Sequence, residues 1–265
     1  MAEPTAAGQD VLLTTKLHVP RPRPGFAVRP RLVERLDEGL ARGLLLVCAP
    51  AGFGKTSLLA DWARSGGRAV AWLSLDTGDN DPVRFWRYVA AALERVRPGV
   101  AEQVAGLLGG LDPASPEGLV TALVNQLAAG PAGDELVLVV DDYHLIQAPA
   151  VHHGVSLLLE HPPPGLRLVL AGRADPPLPL ARLRARGQLA EVRAADLRFR
   201  PTEAAALLAR HTGQPLPDQA VAALAARTEG WAAGLQLAGL SLRDHPDRPG
   251  SWPASRAATV LSWTI

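Results

Sequence analysis

The sequence is poor in cysteine, lysine and aromatic residues, and none of its apolar runs is long enough to cross a membrane. Its 265 residues include one cysteine, Cys48, so an internal disulfide is excluded. The first residues, MAEPTAAGQD, lack the charged and apolar regions of a signal peptide. We therefore expect a cytoplasmic protein with no membrane partner. The formal net charge of +1 gives no reason to expect that the whole surface binds a polyanion.

Lysine is scarce because arginine supplies all the basic residues except Lys16 and Lys55. A compact ammonium suits a phosphate-cradling loop better than a planar guanidinium does. Lys55 stands in such a context, the stretch Leu44 to Thr56 with the sequence LLLVCAPAGFGKT. The choice of lysine at this position therefore argues for phosphate binding.

The stretch predicts a phosphate-binding loop between a strand and a helix. The strand is predicted over 44–48 and the helix over 57–64. Backbone N–H groups, an ammonium and a hydroxyl are what a triphosphate with Mg²⁺ requires. The usual first glycine of the motif is Ala49 here, which can take the turn if its φ stays negative. The predicted nucleotide-binding residues of the loop are Ala49, Pro50, Ala51, Gly52, Phe53, Gly54, Lys55, Thr56 and Ser57.

Further apolar runs over 69–75, 136–140 and 166–170 predict buried strands. The second of these runs leads directly into Asp141 and Asp142, which places carboxylates where they can face the Mg²⁺ shell beside a phosphate loop. The third leads to Arg173. From spacing alone Arg173 is either a cation facing the γ-phosphate or one more surface arginine.

Three other segments carry weaker patterns. Residues 1–27 predict an extended arm in which prolines forbid a helix, and a solvated arm is favoured over a nucleic-acid arm. The acidic turn over 76–81 lacks the spacing of a calcium loop and predicts a solvated loop. His144, His152 and His153 have no metal-ligand spacing and are interpreted as surface or capping residues.

The chain changes character near Arg200. The segment 182–200 is dense in arginine, which leaves a nucleic-acid-binding module open as an alternative function, although it contains only one aromatic residue. Beyond it, short helices are predicted over 203–210, 218–227 and 231–242. We therefore predict a domain boundary near Arg200.

Several of these stretches together resemble a known family. They are APAGFGKT, WLSLDTGDNDP followed by FWRYV, LVLVVDDYHLI, LVLAGRADPPLPLARLRARGQL, DLRF and TEGWAAGLQLAGLSL. Their order and wording resemble the ATPase domain of the MalT-like, LuxR-type large ATP-binding transcription regulators, which belong to the STAND branch of P-loop NTPases. The resemblance covers about residues 13–242 and implies an α/β fold. In that fold a parallel five-stranded sheet is followed by a small helical, winged-helix-related domain.

The resemblance implies an ATP-dependent switch in which ADP holds a closed monomer, ATP favours self-association, and slow hydrolysis resets the protein. ATP, ADP and Mg²⁺ are the implied ligands. The candidate catalytic groups are then Lys55, Asp141, Asp142 and Arg173, with Thr56 and Asp141 at the metal. Two more segments are implied to enclose the nucleotide: Val28 and Arg29 over the adenine, and residues 234–237 from the other side.

The resemblance also implies a division of the chain. The expected parts are an arm over 1–27, the ATPase domain over 28–200, a helical domain over 201–245 and an irregular tail over 246–265. Members of this family continue into a sensor region and a helix-turn-helix, whereas the sequence after Leu242 departs from the family pattern. We therefore expect a truncated or frame-shifted product without sequence-specific DNA binding, or in the extreme an inactive fragment.

Overall fold

A parallel five-stranded sheet forms the centre of the molecule in the computed structural model, which describes residues 12–21, 25, 27–101, 117–130 and 135–243. The strands lie in the order β2-β3-β4-β1-β5. They are β1 (Leu44–Cys48), β2 (Ala69–Ser74), β3 (Leu136–Asp141), β4 (Leu166–Gly172) and β5 (Leu189–Arg193). Strand β4 therefore separates the strand before the phosphate loop from the strand that ends in Asp141, and all four strand pairings are parallel.

Helices cover both faces of the sheet. In chain order they are α1 (Pro30–Leu40), α2 (Lys55–Ser65), α3 (Pro82–Glu94), α4 (Glu117–Ala128), α5 (Pro149–Glu160), α6 (Leu180–Ala185) and α7 (Ala194–Leu197). Side chains alternate between the faces of a strand, so Leu44 and Leu46 belong to one core while Leu45 and Val47 belong to the other. The first core includes α3, α4 and α5, and the second includes α1 and α2. The predicted α/β fold is confirmed.

The local sequence determines where the helix α3 begins. Proline at the first position has no N–H to leave unpaired, and the Asp81 side chain accepts a hydrogen bond from the Arg84 N–H at 2.7 Å. The aromatic face of α3 is buried, with Phe85 and Trp86 packed edge to face. This face of α3 therefore packs in the hydrophobic core, as predicted.

Three helices follow the sheet: α8 (Pro201–Thr212), α9 (Asp218–Arg227) and α10 (Ala232–Arg243). They bury a separate apolar cluster, which includes Leu208, Leu224 and Leu235 and to which Phe199 contributes. We call residues 201–243 the helical unit. Its helices begin and end within a few residues of the predicted bounds, and its relation to winged helices stays a prediction.

The acidic turn is not the solvated loop that its composition predicts. Residues Thr77–Asn80 form a 3₁₀ turn, and Asp79 is fully buried. Lys16 Nζ lies 2.5 Å from one Asp79 oxygen, and Arg84 Nε lies 3.2 Å from the other. A buried carboxylate requires such cations because it has left water.

The same ion pair overturns the expectation of a solvated arm for the part of the arm that the structure describes. Thr14–Leu17 is a 3₁₀ turn, and Lys16 and Leu17 are buried. The Lys16 ammonium also lies 4.5 Å from the centre of the Tyr88 ring. The remainder of the predicted arm (1–11, 22–24 and 26) and the irregular tail (246–265) lie outside the described residues.

The interpretation of His152 as a surface or capping residue is wrong, because His152 is buried and its Nδ1 lies 3.0 Å from the Tyr143 hydroxyl.

The strand β5 is a finding of the structure, since no apolar run in the arginine-dense segment marks it. No helix in the described part of the chain is long and apolar enough to span a membrane.

Candidate nucleotide-binding site

The loop between β1 and α2 has the backbone that its glycines predict. Gly52 and Gly54 have φ of 78° and 79°, in the left-handed region that favours glycine. Ala49 has no positive φ. Alanine in place of the usual first glycine therefore causes no backbone strain, and the loop keeps its shape.

Lys55 begins α2 and lies almost fully buried under the loop. Its Nζ donates to Ala49 O at 2.7 Å and to Pro50 O at 3.1 Å. Burial lowers the pKa of this ammonium, with Asp141 and Asp142 opposing the shift. Phosphate oxygens can replace the two carbonyl acceptors, because the same donors would serve either partner.

Thr56 and Asp141 meet although they are 85 positions apart. Thr56 Oγ1 donates to Asp141 Oδ2 at 2.7 Å. Asp141 is 2% exposed, and burial raises the pKa of its carboxyl to about 6. A hydroxyl and a carboxylate are hard oxygen donors, so this pair suits Mg²⁺. No group of three or more His, Cys, Asp or Glu among the described residues forms a protein-only metal site, so phosphate and water would complete the shell.

Asp142 and Arg173 face the same cavity from neighbouring strands. Asp142 follows β3 with φ 58°, a left-handed conformation that aspartate tolerates better than most residues. Arg173 follows β4, and its positive charge helps to lower the pKa of Lys55. The geometry favours the functional interpretation of Arg173, since it lines the cavity beside Lys55.

The cavity has a volume of about 300 Å³ and is closed partly by residues before the sheet and partly by the helical unit. It is lined by Gly25, Ala27, Arg29, Ala51, Gly52, Gly54, Lys55, Thr56, Ser57, Asp142, Arg173, Phe199, Leu207, His211, Ala232, Ala233 and Gln236. A cavity of this size with a few polar groups at one end is typical of a small-molecule site.

Arg29 is the most deeply buried cation of the cavity wall, at 1% exposure. Its Nη1 donates to Leu197 O at 2.8 Å, and its guanidinium lies 4.6 Å from the centre of the Phe199 ring. Its Nε has no hydrogen-bond partner among the described residues, and burial lowers its pKa to about 10. A desolvated guanidinium of this kind favours an anionic ligand.

Not every predicted site residue reaches the cavity. Val28 is 51% exposed and is not part of the lining. Phe53 packs against the apolar core that includes α2 and is not part of the lining. Ala49, Pro50 and Asp141 are also absent from the lining, but hydrogen bonds join them to Lys55 and Thr56.

Comparison with known proteins agrees with this geometry. Residues 39–175, more than half of the chain, match a family model described as an AAA domain. The chain belongs to the AAA domain family. The phosphate loop, Asp141 and Arg173 all fall within the matched AAA domain.

Two relatives are similar in sequence to most of the chain. Identity is 36% over 236 residues with the serine/threonine-protein kinase PknK of Mycobacterium tuberculosis, covering 88% of this chain and 21% of that protein. Identity is 37% over 235 residues with the HTH-type transcriptional regulator MalT of Cronobacter sakazakii, covering 89% and 26%. The chain thus spans about a quarter or less of the length of these relatives.

A solved structure extends the likeness to the fold. It is a STAND protein with a tetratricopeptide repeat sensor from Pyrococcus horikoshii, with a TM-score of 0.61 at 15% identity over 92% of this chain and 33% of that one. The predicted resemblance to a MalT-like P-loop ATPase domain is confirmed. The two relatives similar in sequence to this chain are named as a kinase and as a transcription regulator.

The resemblance implied that residues 234–237 close the site, and Gln236 of that segment lines the cavity, but sequence reasoning missed the contribution of α8. Leu207 and His211 of α8 line the end of the cavity with Gly25, and the His211 ring lies where a Cβ on Gly25 would stand. These residues belong to no nucleotide-binding motif. Only the packing of the helical unit against the AAA domain brings them to the site.

The arginine-dense segment is largely neutralised by carboxylates, which disfavours the nucleic-acid alternative. Arg184 binds Glu191 through two hydrogen bonds of 3.0 Å, and Arg198 lies 2.8 Å from Glu229. Two further ion pairs join Arg182 to Glu160 and Arg193 to Asp175.

Proposed function

We propose that this chain is an ATP-binding and slowly hydrolysing switch domain of a MalT-type transcription regulator. The observation that carries the proposal is the convergence of Lys55, the Thr56–Asp141 pair and Arg173 on one cavity behind a phosphate loop. The likeness to MalT and to a STAND protein supports the regulatory role. Self-association in the ATP state belongs to the same proposal.

Each polar group then has a role. Lys55 and the loop amides bind the β- and γ-phosphates. Thr56 and Asp141 hold Mg²⁺, which would neutralise charge on the phosphates, and Asp142 orients the attacking water. Arg173 contacts the γ-phosphate and so distinguishes ATP from ADP.

The rest of the cavity would receive the nucleoside. Arg29 approaches the loop, because its Nη2 lies 3.5 Å from the position of a Cβ on Gly54. Phe199, whose ring contacts the Arg29 guanidinium, lines the same cavity as Ala27 and His211. A nucleotide that extends from the loop to these residues contacts both the AAA domain and the helical unit. A switch requires that such contacts differ between its two states.

Thermal melting with Mg-ATP and Mg-ADP tests the proposal. A ligand at about 100 times its Kd stabilises the native state by about 2.7 kcal/mol, which raises the midpoint by about 5–10 °C in a chain of this size. Lys55→Ala removes the ammonium and should abolish the shift. A nucleotide shift of equal size in Lys55→Ala, or no shift in the wild type, would contradict nucleotide binding at this loop.

Hydrolysis is tested separately with Asp141→Ala. We expect this variant to bind nucleotide but to lose turnover and much of the Mg²⁺ dependence of binding, because the carboxylate behind Thr56 is gone. Phosphate release at the wild-type rate would refute the role of Asp141. Sedimentation with ADP and with ATP measures the proposed self-association.

A further inference from the structure

Trp231 joins the helical unit directly to the phosphate loop. Its indole Nε1–H donates to Ala51 O at 3.2 Å, across 180 positions of sequence. The indole ring also covers Gly52, since a Cβ on that residue would lie 2.7 Å from the ring. Two residues later, at the start of α10, the Ala233 N–H donates to Gly52 O at 3.0 Å. Two successive carbonyls of the loop are thus held by the start of α10.

Trp231 is itself held within the helical unit. The two residues before it, Glu229 and Gly230, take left-handed conformations with φ of 48° and 70°. Gly230 O accepts from the Phe199 N–H at 2.9 Å, and Arg198 Nη1 donates to Glu229 O at 2.5 Å. The backbone that carries the indole is therefore held by residues 198 and 199.

These bonds determine how the loop amides point. In a trans peptide the carbonyl and the next residue's N–H point in opposite directions in one plane. Because Ala51 O points to the Trp231 indole, the Gly52 N–H points away from that indole. In the same way, because Gly52 O points to the Ala233 N–H, the Phe53 N–H points away from it. Amides directed by the peptide planes in this way are the donors that a phosphate group needs.

We propose that Trp231 is a positioning residue for the phosphate loop and the contact through which phosphate occupancy reaches the helical unit. The inference rests on the proposed function and adds a defined route to it. Because coupling between two sites is reciprocal, a phosphate that stabilises these peptide planes also strengthens the attachment of α10. A merely structural tryptophan would stabilise the fold without making the helical unit respond to phosphate.

Inorganic pyrophosphate with Mg²⁺ is the sharpest probe, because it fills the phosphate end of the cavity and has no base to contact Leu207 or His211. Affinity is measured by calorimetry and amide hydrogen exchange is followed in both the loop and residues 201–243. Mg-ADP is titrated in parallel. In the wild type we expect pyrophosphate to slow exchange in both regions.

The variants are Trp231→Phe, Trp231→Ala and a control, Gln219→Ala, at an exposed position of α9 that does not line the cavity. Trp231→Phe keeps a ring on Gly52 but loses the N–H donor, so we expect affinity to fall about five-fold for both ligands. Trp231→Ala should lose more affinity, and pyrophosphate should no longer slow exchange in the helical unit. Gln219→Ala should behave as the wild type, and circular dichroism melts confirm that each variant folds.

Wild-type affinity for ADP together with unchanged phosphate-dependent protection in Trp231→Ala would overturn the inference while leaving the proposed function intact. If Trp231→Ala is unfolded, the same result in Trp231→Phe has the same meaning. Absence of ADP and pyrophosphate binding in the wild type would contradict the proposed function and the inference with it.

Discussion

Replacing Asp141 with asparagine should make the nucleotide-free protein more stable above pH 6. The carboxyl is 2% exposed, and burial raises its pKa from 3.8 to about 6. The folded state therefore binds this proton more tightly than the unfolded state does. Stability contributed by the proton is present below about pH 4 and is lost as the pH rises to about 6.

The size of the effect follows from the shift. A difference of about two pKa units corresponds to about 3 kcal/mol of unfolding free energy above pH 6. Asparagine has no charge to desolvate. It can still accept one of the two hydrogen bonds that Thr56 and the Asp142 N–H donate to Asp141. The Thr56 hydroxyl can turn to accept from the new amide. We expect a net gain of about 2–3 kcal/mol at pH 8, which is about 5–10 °C in melting temperature.

The assay compares melts of the wild type and Asp141→Asn between pH 4.5 and pH 8, without Mg²⁺ or nucleotide. Taking the difference between the two proteins removes the titration of all groups that they share. Asp142→Asn is the matched control, because its side chain is 42% exposed and asparagine tolerates its left-handed backbone. A stability difference that stays constant across this range would refute the reasoning. The stabilised Asp141→Asn should still bind nucleotide but lose much of the Mg²⁺ dependence of that binding, a cost expected where a site strains the fold.

Three further outcomes are expected. Arg173→Ala should weaken ATP binding about ten-fold relative to ADP, because one charged hydrogen bond to the γ-phosphate is lost; calorimetry with Arg186→Ala as control checks this. His211→Ala should weaken ATP binding but leave inorganic triphosphate affinity unchanged, and equal losses for both ligands would contradict a nucleoside contact. Lys16→Met leaves the Asp79 carboxylate with fewer cations, so urea unfolding should show a loss of about 3 kcal/mol, and a loss below about 1 kcal/mol would count against the buried pair.

The sequence by itself determined the four strands that are predicted from apolar runs, and it determined the loop between β1 and α2. These are local signals: strand periodicity, glycines at positions of positive φ, and a proline at the start of a helix. It also placed Asp141 at the end of a buried strand and Arg173 after its neighbour, because parallel strands present their carboxyl ends at one edge. The fold could therefore be predicted from the sequence, and so could the part of the site around the phosphate loop.

Only the tertiary structure decided which charges are buried and which parts of the chain close the site. Lys16 meets Asp79 across 63 positions and Trp231 meets Ala51 across 180. Contacts between residues so far apart produce no local sequence pattern. The residues around each partner have only the patterns of ordinary turns and helices. For the same reason the acidic turn was interpreted as solvated, and the start of α10 was not recognised as a support of the phosphate loop.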